Sequence, residues 1–520
     1  SAGALSPVDF SKSMQTATIN GIETIAIDLP IEGVVSMVGS FAAGETMSPP
    51  EQPMLAGLTA SMLDKGTKSR DRFEIAELLD NLGADMSFSA GAHSLSFSGK
   101  FLRADAGPVL ELLAEQLREP AFDADVFDNL KARQRANILS AIDNTDYRAD
   151  AALSRLLYPK DHPNYSIEIE TMLEGLDSTT IEDLSGFHSK YYGPQSMRLV
   201  FAGDIDFEQL QAATAIAFET WQGGVPYAED SPDQMPNEAV FERIYIADKT
   251  SVSIHAGYNT GLQRTHPKYL PFMLGNYILG GSFHSRLMSQ IRKERGLTYD
   301  IRSSHQGDIL TEGNWKLTAS FGPSLMKQGI EATEGVLKTW YEEGVTEDEV
   351  TRAIETLNGS YLVGLSTTSR IAAQVHSFMQ RGYDAGYIDQ YPSELQNLTA
   401  TQVNQAIKDY FDPRKIRMVA AGSMEQSGLP DLPRGTEKIF VRLDTPDAGW
   451  SIAIEAVYQS MNEVIAISRL TRAEGMAAQV ISTVTDSAMI PESEGLPITH
   501  YIVGKSWDWG DTGDYTFIEN

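Results

Sequence analysis

Residues 176–203 read LDSTTIEDLSGFHSKYYGPQSMRLVFAG, and residues 395–422 read LQNLTATQVNQAIKDYFDPRKIRMVAAG. The two stretches align without a gap at a constant offset of 219 (413 − 194 at the prolines). Leu176 matches Leu395, Thr180 matches Thr399, Tyr191 matches Tyr410, and Pro194 matches Pro413. Arg198, Val200 and Gly203 likewise fall on Arg417, Val419 and Gly422. Each copy predicts a capped helix, a Tyr-aromatic pair, a Pro turn and a short β-rich strand ending at Gly. A chance helix–turn–strand would not keep so many matches in register, so two homologous domains are expected.

Outward from the repeat, both halves open with strand-like runs, at 23–28 and 34–41 in the first and at 243–247 and 251–257 in the second. Amphipathic helices follow, with apolar residues at three- and four-residue spacing over 71–82, 108–118, 323–342 and 347–363. With a hairpin expected over 84–101, each half reads as an α+β domain. The expected division is a first domain over 1–225, a linker over 226–242 that overlaps the Pro-, Asp- and Gly-rich stretch 223–238, and a second domain over 243–426. A second linker, 427–435, carries two prolines in GLPDLPRG. Beyond it, alternating or β-branched runs at 450–457, 463–469, 478–484 and 498–503 predict a small all-β module over 436–520, of open role.

The bulk composition narrows the function classes. Of 520 residues, 42% are hydrophobic and 22% charged, the balance of a folded globular chain. No apolar run approaches the roughly 20 residues that span a bilayer. With 41 Lys and Arg against 71 Asp and Glu, the formal charge is −30. Such a surface repels phosphate backbones and argues against nucleic acid as a partner. The chain has no cysteine, which excludes disulfides, thiolate zinc sites and thiol nucleophiles. The opening SAGALSP reads either as an end left by removal of a secretory signal or as an artificial one, and the expectation is a periplasmic or secreted bacterial protein.

Residues 54–67, MLAGLTASMLDKGT, resemble the opening helix of the pitrilysin-like (insulinase-type) zinc peptidases, whose pattern is G-L-A-H-x-x-E-H-M-x-x-K-G-T. Leu55, Ala56, Met62, Lys65, Gly66 and Thr67 match. In that family two His four apart hold zinc and the Glu beside them is the general base. Gly57 stands at the first His position, Ala60 at the Glu and Ser61 at the second His. The family's further zinc ligand lies in an L-E-E-I-like stretch; residues 139–142 read LSAI, with Ser140 and Ala141 replacing both acids. Gly, Ala and Ser offer neither a ligand nor a base near neutral pH. None of the nine histidines lies in H-x-x-E-H or H-E-x-x-H, so no metal or other cofactor is expected in this chain.

Residues 280–303, GGSFHSRLMSQIRKERGLTYDIRS, resemble the family's second-half signature G-G-x-x-S-R-L-x-x-x-[IL]-R-x-x-x-G-L-x-Y. Its Arg and Tyr, which the family points into the active site of the opposite half, fall on Arg292 and Tyr299. Physically, 285–295 predicts a helix closed by Gly296, followed by a strand over 297–303. Such a turn can bring a guanidinium and a phenol to one edge, where they would donate to a substrate carbonyl and its developing oxyanion. On spacing alone, the plainer reading is favoured, with Arg292 a cation in a helix's last turns and Tyr299 a half-buried strand aromatic. Elsewhere, His162 in DHPNY reads as structural, His284 as a surface residue, and Asp143, Asp146 and Asp150 as a solvated face.

The resemblance spans residues 15–425. It implies two peptidase-type α/β sandwich domains forming half of a clamshell, followed by the small C-terminal all-β domain. It also implies a metal-free subunit that lends Arg292 and Tyr299 to a partner subunit carrying H-x-x-E-H and zinc, the pair hydrolysing peptides. The alternative is a catalytically inactive scaffold or peptide-binding protein of the same fold.

Overall fold

The computed structural model describes residues 9–228, 232–246, 248–424, 436–447, 449–459, 464–473, 482–491, 498–504 and 515–519. Residues up to Ser423 form one unit and those from Met424 another. The linker expected over 427–435 lies outside the described residues.

The first unit contains two sheets built to one plan. In the first half the strands are β1 (Met14–Ile19), β2 (Ile22–Asp28), β3 (Val34–Phe41), β4 (Asp85–Ala90), β5 (Leu95–Leu102) and β6 (Arg198–Gly203). They are ordered β1-β2-β6-β3-β5-β4. The second half supplies β7 (Val240–Tyr245), β8 (Val252–Leu262), β9 (Thr298–Gln306), β10 (Gly313–Phe321) and β11 (Arg417–Gly422). Their order, β7-β11-β8-β10-β9, repeats that of the first sheet without its extra edge strand. The senses agree as well: β6 runs parallel to β2 and antiparallel to β3, as β11 does to β7 and β8. β6 and β11 are the ends of the two aligned stretches, and the helices before them, Ile181–Tyr191 and Ala400–Tyr410, begin at Thr180 and Thr399 capping boxes.

Each sheet is covered on one face by helices of its own half. In the first, Phe41, Phe97, Phe101, Leu199 and Phe201 pack with Leu110, Leu113 and Leu117. In the second, Trp315 and Trp340 both meet the ring of Phe411, and their indole N–H groups donate to Asn276 and to the Gly275 carbonyl. The other face is covered by a helix from the opposite half. Thr145–Leu157 lays Ala149, Ala152, Leu153 and Leu157 on Ile246, Val419 and Ala421. Reciprocally, Thr368–Gln380 lays Ile371, Ala372, Val375, Phe378 and Met379 on Ile25, Ile27, Val200 and Ala202. Val200 and Ala202 are the repeat positions of Val419 and Ala421, so the same two strand residues receive the exchanged helix in each half. The polar locks repeat too: Ser36 on β3 hydrogen bonds to Thr368, and Ser253 on β8 to Thr145. The two homologous domains are thus interlocked.

Helices expected from the sequence are present at Arg72–Leu82, Ala106–Arg118, Met326–Glu343 and Glu347–Gly364, while most of the strand expected over 478–484 lies outside the described residues. Two boundaries move. β7 begins at Val240, inside the stretch read as linker, and β8 runs on to Leu262. The linker is also stitched down, because Asn237 exchanges hydrogen bonds with the backbone of Asn259 and Met235 donates to the Leu157 carbonyl.

The second unit is all β among the described residues. β12 (Thr436–Thr445) pairs with β15 (Ser482–Pro491). A four-stranded sheet runs β13 (Trp450–Gln459), β14 (Val464–Arg472), β16 (Ile498–Gly504) and β17 (Tyr515–Glu519). Val441, Leu443, Ile452, Leu470 and Ile502 form one small core, and Ile439, Val464, Ala466 and Ile490 another.

Candidate functional site

Arg292 and Tyr299 lie where the helix after Gly281 turns into β9, the outermost strand of the second sheet. The segment is fixed at both ends. Gly280 is pressed against β9, so that a Cβ there would fall 2.4 Å from the Ser303 hydroxyl and 2.6 Å from its backbone nitrogen. Arg286 is held by both Glu349 carboxylate oxygens (2.8 and 2.7 Å) and by the Gly344 carbonyl (2.8 Å). Between these pins Leu287, Met288, Ile291 and Leu297 are buried.

The helix expected over 285–295 is not a regular α-helix. Met288–Glu294 is a π-helical stretch, in which each turn holds one extra residue, and it closes where the Leu297 N–H reaches back to the Ile291 carbonyl (3.1 Å). Gly296, at φ +64°, makes the turn. The strand that follows is irregular at the matching place. Thr298 pairs with Phe321 and Ile301 with Ala319, so Tyr299 and Asp300 face Ser320 alone, as in a β-bulge. The Thr298 hydroxyl secures the bulge by donating to the Ser320 carbonyl (2.5 Å) and accepting from the Asp300 N–H (3.2 Å).

The result is two side chains turned outward from a buried frame. Tyr299 is 90% exposed, although Thr298 and Ile301 on either side are buried. Arg292 is half-buried, with its guanidinium 5.2 Å from the centre of the Phe283 ring, which the Lys293 ammonium also approaches, at 4.4 Å. Among the described residues neither the Arg292 guanidinium nor the Tyr299 hydroxyl has a hydrogen-bond partner.

The degenerate zinc positions are placed differently. Gly57 and Ala60 lie on the short helix Leu55–Ala60, with Ser61 as its C-cap. No side chain caps Met54 at the start of this helix; instead Ser48 Oγ accepts the Ala56 N–H (3.0 Å) and Glu45 Oε1 accepts the Gly57 N–H (3.0 Å). Burial pushes the Glu45 carboxyl up to about 7, against the Ser48 hydroxyl and the two backbone donors. A Cβ at position 57 would fall 2.6 Å from Glu45 Oε1, so the carboxylate occupies the space of the missing side chain. Ser140 and Ala141 sit near the end of the helix Ala124–Ile142, where the exposed Ser140 hydroxyl turns back on the Asn137 carbonyl (2.8 Å). Among the described residues no three His, Asp or Glu side chains converge as a metal site. These residues do not fit zinc. Nothing in the sequence pattern singles out Glu45; its role appears only when the chain is folded.

Of the other sequence candidates, His162 is buried, stacked on Tyr158 at 4.3 Å, with Nδ1 accepting the Asn164 N–H; burial pushes it down to about 4. His284 is exposed. Asp143, Asp146 and Asp150 form an exposed face, as read from the sequence, and each is also paired. Asp143 pairs with Lys249 (2.8 Å), Asp146 with His255 (2.8 Å), and Asp150 with Lys316. All three partners belong to the second half, and the acids lie at or just before the exchanged helix. They line the exposed rim beside the buried face of Ala149, Ala152, Leu153 and Leu157.

Two repeated α/β halves of one topology are the fold of a peptidase family, and comparison with known families agrees. Residues 33–166 match the model of insulinase, peptidase family M16, and residues 178–357 match that of the peptidase M16 inactive domain. The chain belongs to peptidase family M16. It is 22% identical over 380 residues to the "Non-peptidase homolog YmxG" of Helicobacter pylori, covering 72% of this chain and 85% of that protein. It is also 22% identical to the "Uncharacterized zinc protease YmxG" of Bacillus subtilis, covering 75% and 94%. Among solved structures, an M16 inactive domain from Pseudomonas fluorescens superposes with a TM-score of 0.73 at 24% identity, over 80% of this chain and all of that one. The periplasmic protease PqqL of Escherichia coli gives 0.69 at 13% identity, over 80% of this chain and 46% of its own. No helix among the described residues is long and apolar enough to cross a membrane.

Proposed function

We propose that the chain is the metal-free subunit of a two-subunit peptidase, lending Arg292 and Tyr299 to a partner that carries H-x-x-E-H, zinc and the general base. The observation that carries this reading is the coincidence of a π-helical stretch and a β-bulge at these two residues. Each inserts a residue into otherwise regular structure, a departure that regular packing does not require and that is common beside active sites. A guanidinium and a phenol left with free donors suit a substrate carbonyl as it gains negative charge. In that role Arg292 offers two N–H groups and a fixed positive charge, while Tyr299 offers one O–H from an exposed edge. The lack of ligand side chains at Gly57, Ala60, Ser61, Ser140 and Ala141 supports a division in which the partner supplies the metal.

The substrate is a peptide, and the likeness to a periplasmic protease supports a periplasmic or secreted location. Replacing Arg292 by Ala lowers kcat of the reconstituted pair by about 10²–10³ with a smaller change in KM, the pattern of a group used mainly in the transition state. An unchanged kcat would sink the assignment. The second reading, an inactive scaffold or peptide-binding protein, draws support from the name given to the Helicobacter relative and predicts a pair with no peptidase activity.

A further inference from the structure

A cleft of about 570 Å³ opens between the end of the helix Glu347–Gly364 and the outer face of the exchanged helix Thr368–Gln380. It is far removed in sequence from the segment carrying Arg292 and Tyr299, and the inference drawn from it does not rest on their role. Leu357, Tyr361, Leu365 and Tyr391 line it with apolar surface, the two tyrosine rings 4.8 Å apart. One face of the exchanged helix supplies the rest: Arg370, Ala373, Gln374 and Ser377 follow at helical spacing. Small residues at 373 and 377 keep the space open.

The polar groups divide into engaged and free. The Tyr361 hydroxyl donates to the Ile388 carbonyl (2.8 Å), and the Ser377 hydroxyl accepts from Arg381. The side chains of Arg370, Gln374 and Ser360 make no hydrogen bond or ion pair among the described residues. Arg370 has no carboxylate partner among the described residues, and it lies in the first turn of its helix, where the dipole disfavours a cation. An anion beside it would relieve both. The volume and the apolar lining are those of a small-ligand site with a few convergent polar groups.

We infer that this cleft binds the free C-terminal carboxylate of a peptide ending in a large apolar residue, with Arg370 on the carboxylate and the apolar side chain against Tyr361 and Tyr391. A guanidinium takes both oxygens of a carboxylate. Gln374, one turn on, both donates and accepts, which matches the N–H and C=O of the last peptide group. A fatty acid shares the carboxylate and the apolar body but has no peptide group for Gln374 to meet.

The test uses the full chain and an N-terminally fluorescein-labelled Ala-Ala-Ala-Ala-Phe, as the free acid and as the C-terminal amide, read by fluorescence polarisation, with unlabelled decanoate as competitor. The acid is expected to bind at least about ten-fold more tightly than the amide, the weight of a charge-assisted hydrogen bond. Arg370→Gln should bring the acid to the level of the amide and leave the amide unchanged, and Ala373→Trp should block both. Arg370 is exposed, so Arg370→Gln leaves packing intact, and the acid–amide comparison is made on the native chain. Equal binding of acid and amide, no binding of the acid, or an acid affinity untouched by Arg370→Gln would overturn the inference. Displacement by decanoate at concentrations equal to or below those of the unlabelled peptide acid would overturn its assignment to a peptide.

Discussion

A side chain added at position 57 must first displace Glu45, whose carboxylate both fills that space and caps the short helix behind it. Reinstating the family pattern with Gly57→His, Ala60→Glu and Ser61→His therefore sets a new ligand against a buried acid, and residues 140 and 141 still supply no carboxylate. The triple variant is expected to hold no stoichiometric zinc after dialysis, measured by elemental analysis; one zinc per chain would show that the site had stayed open. The vacancy at Gly57, Ala60 and Ser61 is legible in the sequence, because a ligand is a residue type at a fixed spacing. What fills it is not, since Glu45 reaches Gly57 only through the turn between β3 and the helix. Arg292 and Tyr299 are legible for the same reason as the vacancy. Their exposure is not, because it depends on a π-helical stretch and a bulge that no periodicity of 3.6 or 2 encodes.

Among elements, the exchanged helices carry the largest difference between sequence and structure. Neither stands out in the sequence as a link between halves, because an amphipathic pattern says that a face is buried and not which sheet buries it. Gly257 shows the fit: a Cβ there would fall 2.7 Å from Leu157 and 3.1 Å from Leu153. Leu153→Ala empties a first-half side chain from the second-half core and should cost about 2–5 kcal/mol, with both halves still unfolding in one calorimetric transition. Two separated transitions would contradict the interlock. At the other exchanged helix, Asp308 receives the Tyr269 hydroxyl (2.6 Å) and Arg264 (3.0 Å), with Arg381 Nε at 3.5 Å and His305 Nδ1 at 3.8 Å. Burial alone would raise its pKa, but the His305 ring, the Arg264 guanidinium and the Tyr269 hydroxyl hold it far below the usual carboxylate range. A carboxyl with a depressed folded pKa contributes stability that is full above its unfolded value and is lost as pH falls below about 4. Asp308→Asn strands two guanidinium groups and should cost about 3–5 kcal/mol at pH 7, a gap that narrows below about pH 4 in melting curves of both proteins. A gap independent of pH between 7 and 3 would contradict the ionised state.

For the whole molecule, the repeat at offset 219 foretells two sheets of one topology, and the matched Val200/Val419 and Ala202/Ala421 prove to be the places where each half receives the other's helix. Sequence repetition reveals equivalence of parts; it does not reveal that the parts exchange elements, so the two domains read from it emerge as one interlocked unit. The C-terminal β unit is legible as strands because its alternation is strong, while its sheet order depends on pairings distant in sequence. In the proposed pair this unit completes another subunit's active site with Arg292 and Tyr299. That role is tested most directly by cleavage of a quenched fluorescent peptide library by this chain, by a zinc-loaded H-x-x-E-H subunit from the same source, and by their mixture, each repeated with Arg292→Ala and Tyr299→Phe. Activity is expected to be confined to the mixture or greatly raised there, and reduced by both substitutions without loss of the complex. Activity of this chain alone, or a silent mixture with a folded and zinc-loaded partner, would contradict it.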